Sequence, residues 1–181
     1  MDRPTLTTAV YMRRERVQGA MAKWQEWRWV LHDVVIQEGE VALGPRLMRQ
    51  TDDEQIWLHA GFEVILYKDD AEGYYLNSSS PAPCWFVLWR MQEEPCDEQP
   101  FALAMPTMVS VSYHDAGRWL DAQETVEQVP APAEIAQWMQ SFAEEHMVIE
   151  TKKRKRPESF KALQDRFGNP AKVSTDKKYG Q

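Results

Sequence analysis

Alternating apolar and polar positions run through the first two-thirds of the chain, and a helical spacing replaces them after residue 132. Thr8-Ala9-Val10-Tyr11-Met12 is a short β-prone run that the pattern predicts to stop at Arg13-Arg14-Glu15-Arg16. Trp27–Ile36 sets Trp, Val, Leu and Ile against Arg28, His32 and Asp33 and reads as a strand. Ile56–Ala60 and Phe62–Tyr67 flank Gly61, which marks a bulge in one long strand or a break between two. Asp69–Gly73 reads as a turn from which Tyr74–Asn77 returns as a hairpin strand. The Ser78–Pro83 loop leads into a strand over Cys84–Arg90. Glu93–Pro100 is an acidic, proline-bounded connection, and Met108–Tyr113 gives one more strand.

Helices come late. His114–Leu120 reads as a short one. Ala133–His146 is the clearest, with Ile135, Trp138, Met139 and Phe142 on one stripe and Pro132 and Glu134 suited to its first turn. Residues 157–167 form a third helical pattern, with Phe160, Leu163 and Phe167 aligned before Gly168 and Pro170. Strands followed by a packed C-terminal helix predict an α+β domain over residues 1–150. Its expected form is a curled antiparallel sheet or small β-barrel plugged by the Trp138 helix, with an open sheet carrying one helix as the alternative. Residues 151–181 are expected to be a basic tail whose short helix forms on docking, since three turns are too few to stand alone in water.

Charge sharpens this division. The net charge of −7 is the sum of two opposed segments. Residues 152–181 hold ten Lys or Arg against three Asp or Glu, and residues 1–151 hold eleven against twenty-five. An acidic body with a basic tail is a partner signal, and the body disfavours nucleic acid. No stretch approaches the length of a membrane span, and the N-terminus shows no apolar signal segment, so a cytoplasmic protein is expected. Two cysteines, Cys84 and Cys96, build neither a disulfide framework nor a C-x-x-C site.

Catalytic chemistry finds little support. The four histidines lack the spacing of a helical metal pair, and each is expected to be structural and hydrogen-bonded. No G-x-S-x-G, Walker or dinucleotide-binding glycine pattern occurs. Asp52-Asp53-Glu54 and Asp69-Asp70 lack calcium-loop spacing and read as solvated turns. No cofactor or metal is called for. Two binding features stand out. The first is Trp24-Gln25-Glu26-Trp27-Arg28-Trp29 beside the Arg13–Arg16 cluster. On a strand Trp27 and Trp29 share a face and Arg28 takes the other, so Arg14, Trp27, Arg28 and Trp29 are candidate contact residues. The second is Lys152-Lys153-Arg154-Lys155-Arg156 followed by Phe160 and Leu163, a basic and apolar docking segment.

Taken in order, several segments resemble a bacterial family catalogued as domain of unknown function three-three-zero-five. They are Val10–Arg16, Trp24–Trp29, Tyr75–Asn77, Ser80–Pro83, Phe86–Arg90, Val109–Tyr113 and, most clearly, Val126–Ile135 running through Trp138 and Phe142 to His146. Lys153-Arg154-Lys155-Arg156 keeps the family's basic run, whereas Glu150-Thr151 stands where an aromatic pair is common. Such genes typically lie beside those of molybdenum-dependent formate dehydrogenases. The resemblance therefore implies an accessory protein that binds a formate dehydrogenase subunit or its maturation proteins. Some members carry a molybdopterin-guanine dinucleotide biosynthesis label, but a nucleotidyltransferase needs a glycine-rich, lysine-bearing loop that this sequence lacks. Pterin-nucleotide binding, with tryptophans stacking the ring and Arg14, Arg28 and Lys153–Arg156 holding phosphates, is the alternative.

Overall fold

The structure, a computed structural model, describes residues 3–95 and 99–147. The chain divides into two units, Met1–Met147 and Val148–Gln181, and every element below belongs to the first. Cys96 and the expected basic tail, with Lys153, Arg154, Lys155, Arg156, Phe160 and Leu163, lie outside the described residues.

Strand β1 (Thr5–Arg16) runs through the charged cluster instead of stopping at Met12. It pairs antiparallel with β2 (Trp27–Ile36) on one side and β4 (Glu54–Ile65) on the other, and β3 (Arg46–Gln50) pairs with the far edge of β4. The register places Leu6, Thr8, Val10, Met12 and Arg14 on one face of β1, opposite Leu31, Val34, Phe62 and Val64 on its neighbours. Charge did not end the strand because inward Arg14 finds aromatic partners and outward Arg13 and Glu15 pair with each other at 3.0 Å. Gly61 resolves as a bulge in one continuous β4. The pairing shifts between Phe62, opposite Thr8, and Ala60, opposite Ala9, and Gly61 takes φ +89°, a left-handed conformation that favours glycine.

The second sheet has β5 (Cys84–Met91) at its centre, flanked by β6 (Ala104–Ser110) and β7 (Thr125–Pro130), all antiparallel. The sheets face one another with β7 beside β2 and β6 beside β4. Val10, Met12, Leu31, Trp85, Val87 and Val129 fill the space between them. Among the described residues the strands close no barrel; the α+β class and the antiparallel order agree with the sequence pattern.

Three helices complete the domain. α3 (Ala133–His146) buries Ile135, Met139, Phe142 and Ala143 at the end of the sandwich where β1 begins. α2 (Tyr113–Asp121) covers the outer face of the second sheet through Ala116 and Trp119 against Cys84 and Phe86. Residues 113 onward are thus helical where the pattern had extended a strand to Tyr113. α1 (Ala71–Ser78) replaces the predicted Tyr74–Asn77 hairpin strand. Its sequence favours strand locally, but helical spacing turns Tyr74 and Asn77 inward together. Tyr74 stacks edge-on against Phe142 at 5.8 Å, and its hydroxyl accepts from the Tyr67 amide. Asn77 is wholly buried. Its amide nitrogen donates to the carbonyls of Cys84 and Val111, each at 2.7 Å, and its oxygen accepts from the Cys84 amide at 3.0 Å. Tertiary hydrogen bonds override propensity here.

Asn77→Ala orphans two carbonyls and an amide, so unfolding in urea is expected to show a loss of about 3 kcal/mol, while Tyr75→Ala on the exposed side of α1 stays within about 0.5 kcal/mol. Equal losses would remove Asn77 as the anchor of α1. His59, opposite Val10 on the inner face, is 4% exposed and its Nε2 has no hydrogen-bond partner, contrary to the expectation for each histidine. Burial pushes its imidazole down from 6.5 to about 4. The unfolded chain therefore binds the proton more readily, and this contribution to stability is constant above about pH 6.5 and falls as pH drops towards about 4. The expected loss across that window is about 2–3 kcal/mol. His59→Leu should flatten that part of the stability–pH curve; an unchanged slope would assign the acid sensitivity to other groups.

Candidate functional site

The end of the sandwich opposite α3 is closed by side chains. β1 delivers Arg14 to the inner face there, directly across from Trp29, with Arg16 across from Trp27. The Arg14 guanidinium lies 3.6 Å from the centroid of Phe101 and 4.4 Å from that of Trp27, and Arg16 approaches the Trp27 ring at 5.0 Å. Phe101, from the β5–β6 connection, also meets Trp29 at 6.5 Å and packs edge-on against Trp57 at 6.4 Å. Cation–aromatic contacts of this kind contribute about 0.5–2 kcal/mol each, more as water is excluded. Burial pushes the guanidinium down from its ordinary value, and the nearby Glu26 carboxylate opposes this. Among the described residues Arg14 makes no salt bridge, although Arg13, Arg16 and Arg28 each do.

These side chains wall a cleft of about 370 Å³. Arg14, Trp27, Arg28 and Trp29, the described members of the sequence-derived candidate set, all line it. Arg28 stands on the outer side, held by Glu15 through a 2.6 Å hydrogen bond from Nε. Trp24 does not enter the cleft and is 86% exposed beside it. Sequence reasoning missed Trp89, Met91 and Phe101, which arrive from the second sheet and its connection. It also missed Glu127 on β7. One oxygen of that carboxylate accepts from the Leu31 amide of β2 at 2.9 Å and from the Trp89 indole at 2.7 Å, fastening the two walls of the cleft to each other.

Two other places bring polar side chains together. A larger recess, about 750 Å³, lies at the α3 end between Arg3, Leu66, Tyr67, Lys68, Phe142 and His146. The cations there stand beside Asp69 and Glu145. The nearest approach to a catalytic constellation joins α1 and α2. His114 Nδ1 meets Asp70 Oδ1 at 2.7 Å, with Ser112 and Ser110 adjacent. Both hydroxyls are already committed. Ser112 Oγ is buried and accepts from the His114 and Asp115 amides, capping α2, while Ser110 Oγ donates to Asp115 at 2.5 Å. Gly73 makes this junction possible, because a Cβ there would strike Ser112 Oγ. Asp70 is thus drawn into a helix junction, whereas Asp69 stays exposed, as the solvated-turn reading has it. Cys84 is buried and its thiol is pushed up by desolvation, as an apolar packing role requires. Among the described residues no three His, Cys, Asp or Glu side chains gather as a metal site, and no helix is long and apolar enough to cross a membrane.

Fold and site together define an α+β protein of two facing antiparallel sheets with an arginine-bearing aromatic cleft at one end. The family model described as a protein of unknown function (DUF3305) matches residues 7–156, and the chain belongs to that family. No curated protein and no solved structure matches it.

The bridging carboxylate gives a direct test of how the cleft is held. Glu127→Leu leaves two donors without an acceptor and is expected to cost about 2–4 kcal/mol in urea unfolding, with a shift in tryptophan emission; Glu127→Gln keeps one acceptor and should cost about 1 kcal/mol. The opposite order would mean that the carboxylate does not fasten the sheets.

Proposed function

We propose that this chain is a non-enzymatic accessory or assembly protein for a molybdenum-dependent formate dehydrogenase, acting in the cytoplasm by protein–protein binding. The observation that carries the binding reading is the Arg14 cleft, where a partly buried cation sits on two aromatic rings beside the exposed Trp24. Trp and Arg dominate the contacts that hold protein interfaces together. Both hydroxyls beside the histidine–carboxylate pair are engaged in the fold, which favours binding over acyl-transfer chemistry. The dehydrogenase as partner comes from the family resemblance and its gene neighbourhood. The second reading, a pterin nucleotide held on the same rings, draws on the planar walls of the cleft and on Arg14 and Arg28 as phosphate contacts.

The test is capture from native cells that express the dehydrogenase. Tagged full-length protein is expected to retain a dehydrogenase subunit or maturation protein, and Trp27→Ala with a native-like melting curve should lose it by about tenfold or more. Recovery of no such protein overturns the partner. Quenching of tryptophan emission by about micromolar molybdopterin guanine dinucleotide would favour the pterin reading instead.

A further inference from the structure

We propose that this end of the sandwich pairs with a second copy of the chain about a two-fold axis, each copy setting its Trp24 ring into the cleft of the other. The proposal goes beyond the partner named above and does not rest on it, because self-association is read on purified protein with no dehydrogenase component present.

Tryptophan is highly buried on average in folded proteins, yet Trp24 is 86% exposed. The backbone keeps it so. The amides of Trp24 and Gln25 both donate to the Met21 carbonyl, at 3.0 and 3.1 Å, which closes the 3₁₀ turn Gly19–Lys23. The ring is left outside the cleft, whose wall the next residue, Gln25, already joins. The cleft is the complementary half. Trp27 and Trp29 reach it from one sheet, Trp89 and Met91 from the other, and a space of about 370 Å³ between such walls admits one indole ring.

Ring and receptor therefore stand side by side at one end of one molecule. A two-fold contact needs this placement, since one patch must serve both copies and closely adjacent halves exchange across the axis. A receptor on a remote face would instead build an open chain of molecules. Charge permits the pairing. At this end the ions hold one another, Arg13 with Glu15 and Glu54, Arg16 with Glu26 and Asp53, and Arg28 with Glu15, while Glu93 and Glu94 follow Met91. Both signs are interspersed, so two copies of this end meet without net repulsion. Residues 104–147, by contrast, carry one Arg against seven Asp or Glu, and two copies of that surface would repel.

The area suits a dissociable dimer. Each buried tryptophan removes about 150–250 Å² from water, so two rings and the walls that receive them account for about 600–1,000 Å². Met21 on the same turn and Met91 on the cleft wall are both exposed, and covering them brings the total to about 1,000 Å², the low end for a specific interface.

The experiment is sedimentation velocity of the full-length protein from about 1 µM to about 1 mM. A monomer–dimer equilibrium with a dissociation constant of about 1–100 µM is expected. It should persist at about 0.5 M salt, where contacts between exposed charges are screened. Trp24→Ala should weaken dimerisation by about tenfold or more and leave the melting curve of the monomer unchanged, because the exposed ring supports little of its own domain. Ala102→Trp fills the cleft from its own wall and should weaken dimerisation as much. Mixing the two variants tests the exchange itself. One keeps an open cleft and the other a free ring, so neither pairs with itself, whereas together they recover one of the two contacts and form a heterodimer. Monomer throughout, dimerisation indifferent to Trp24→Ala, or dissociation by salt overturns the proposal, as does the absence of the heterodimer from two folded variants. Should Ala102→Trp fail to fold, the dilution series of the native chain and of Trp24→Ala decides alone.

Discussion

A single carboxylate oxygen, that of Glu127, sits where the two sheets meet, and the geometry of the cleft depends on it. The Leu31 amide belongs to the outer edge of β2 and the Trp89 indole to the inner face of β5. Both donors lie in a region that apolar packing alone would leave free to slide. Dispersion and burial are nearly indifferent to small shifts of one sheet over another, whereas a charge-assisted hydrogen bond tolerates only a few tenths of an ångström. Glu127 therefore turns a loose adhesion between sheets into a fixed register. Arg14, Trp27 and Trp29 hang from one sheet and Trp89 and Met91 from the other, so they face each other as a consequence.

The opposite end is organised by a different polar group. Asn77 reads the backbone of β5 and of the β6–α2 connection at once, which fixes α1 against both. α1 in turn packs on α3, and Ser112 starts α2 at the point where α1 arrives. Hydrophobic burial supplies the cohesion of this core, but these few satisfied polar atoms select one arrangement from the many that burial would accept. Other buried polar atoms lack a partner, among them Trp85 Nε1 and His59 Nε2, and burial keeps the His59 imidazole neutral.

How legible this was from sequence varied by the kind of physics involved. Trp27–Ile36 and Ala133–His146 were readable to the residue, because one face of each is buried, although the inward positions of β2 skip from Leu31 to Val34 where its pairing with β1 shifts. The Gly61 bulge was one of two readings left open by a single glycine. Tyr74–Asn77 misled because its propensity is extended, and only contacts with residues far along the chain make it helical. β3 is exposed on every residue and β7 is short, so neither shows a burial pattern strong enough to read. At the candidate site, Arg14, Trp27, Arg28 and Trp29 were visible as a dense local cluster. Phe101, Trp89 and Glu127 were not, since nothing in their own neighbourhoods announces a contact some 40 to 100 residues away.

The free edges of the sheets carry one further meaning. On β2 the Leu31 amide is taken by Glu127; β6 contains Pro106, β7 ends in Pro130, and β3 pairs arginines with an irregular register. Strand addition, the least sequence-selective way to join a chain to a sheet, is thus discouraged at each edge among the described residues. A partner bound as proposed would be read through side chains. Such binding would be inherited one residue at a time, with drift on one side of the contact answered by drift on the other.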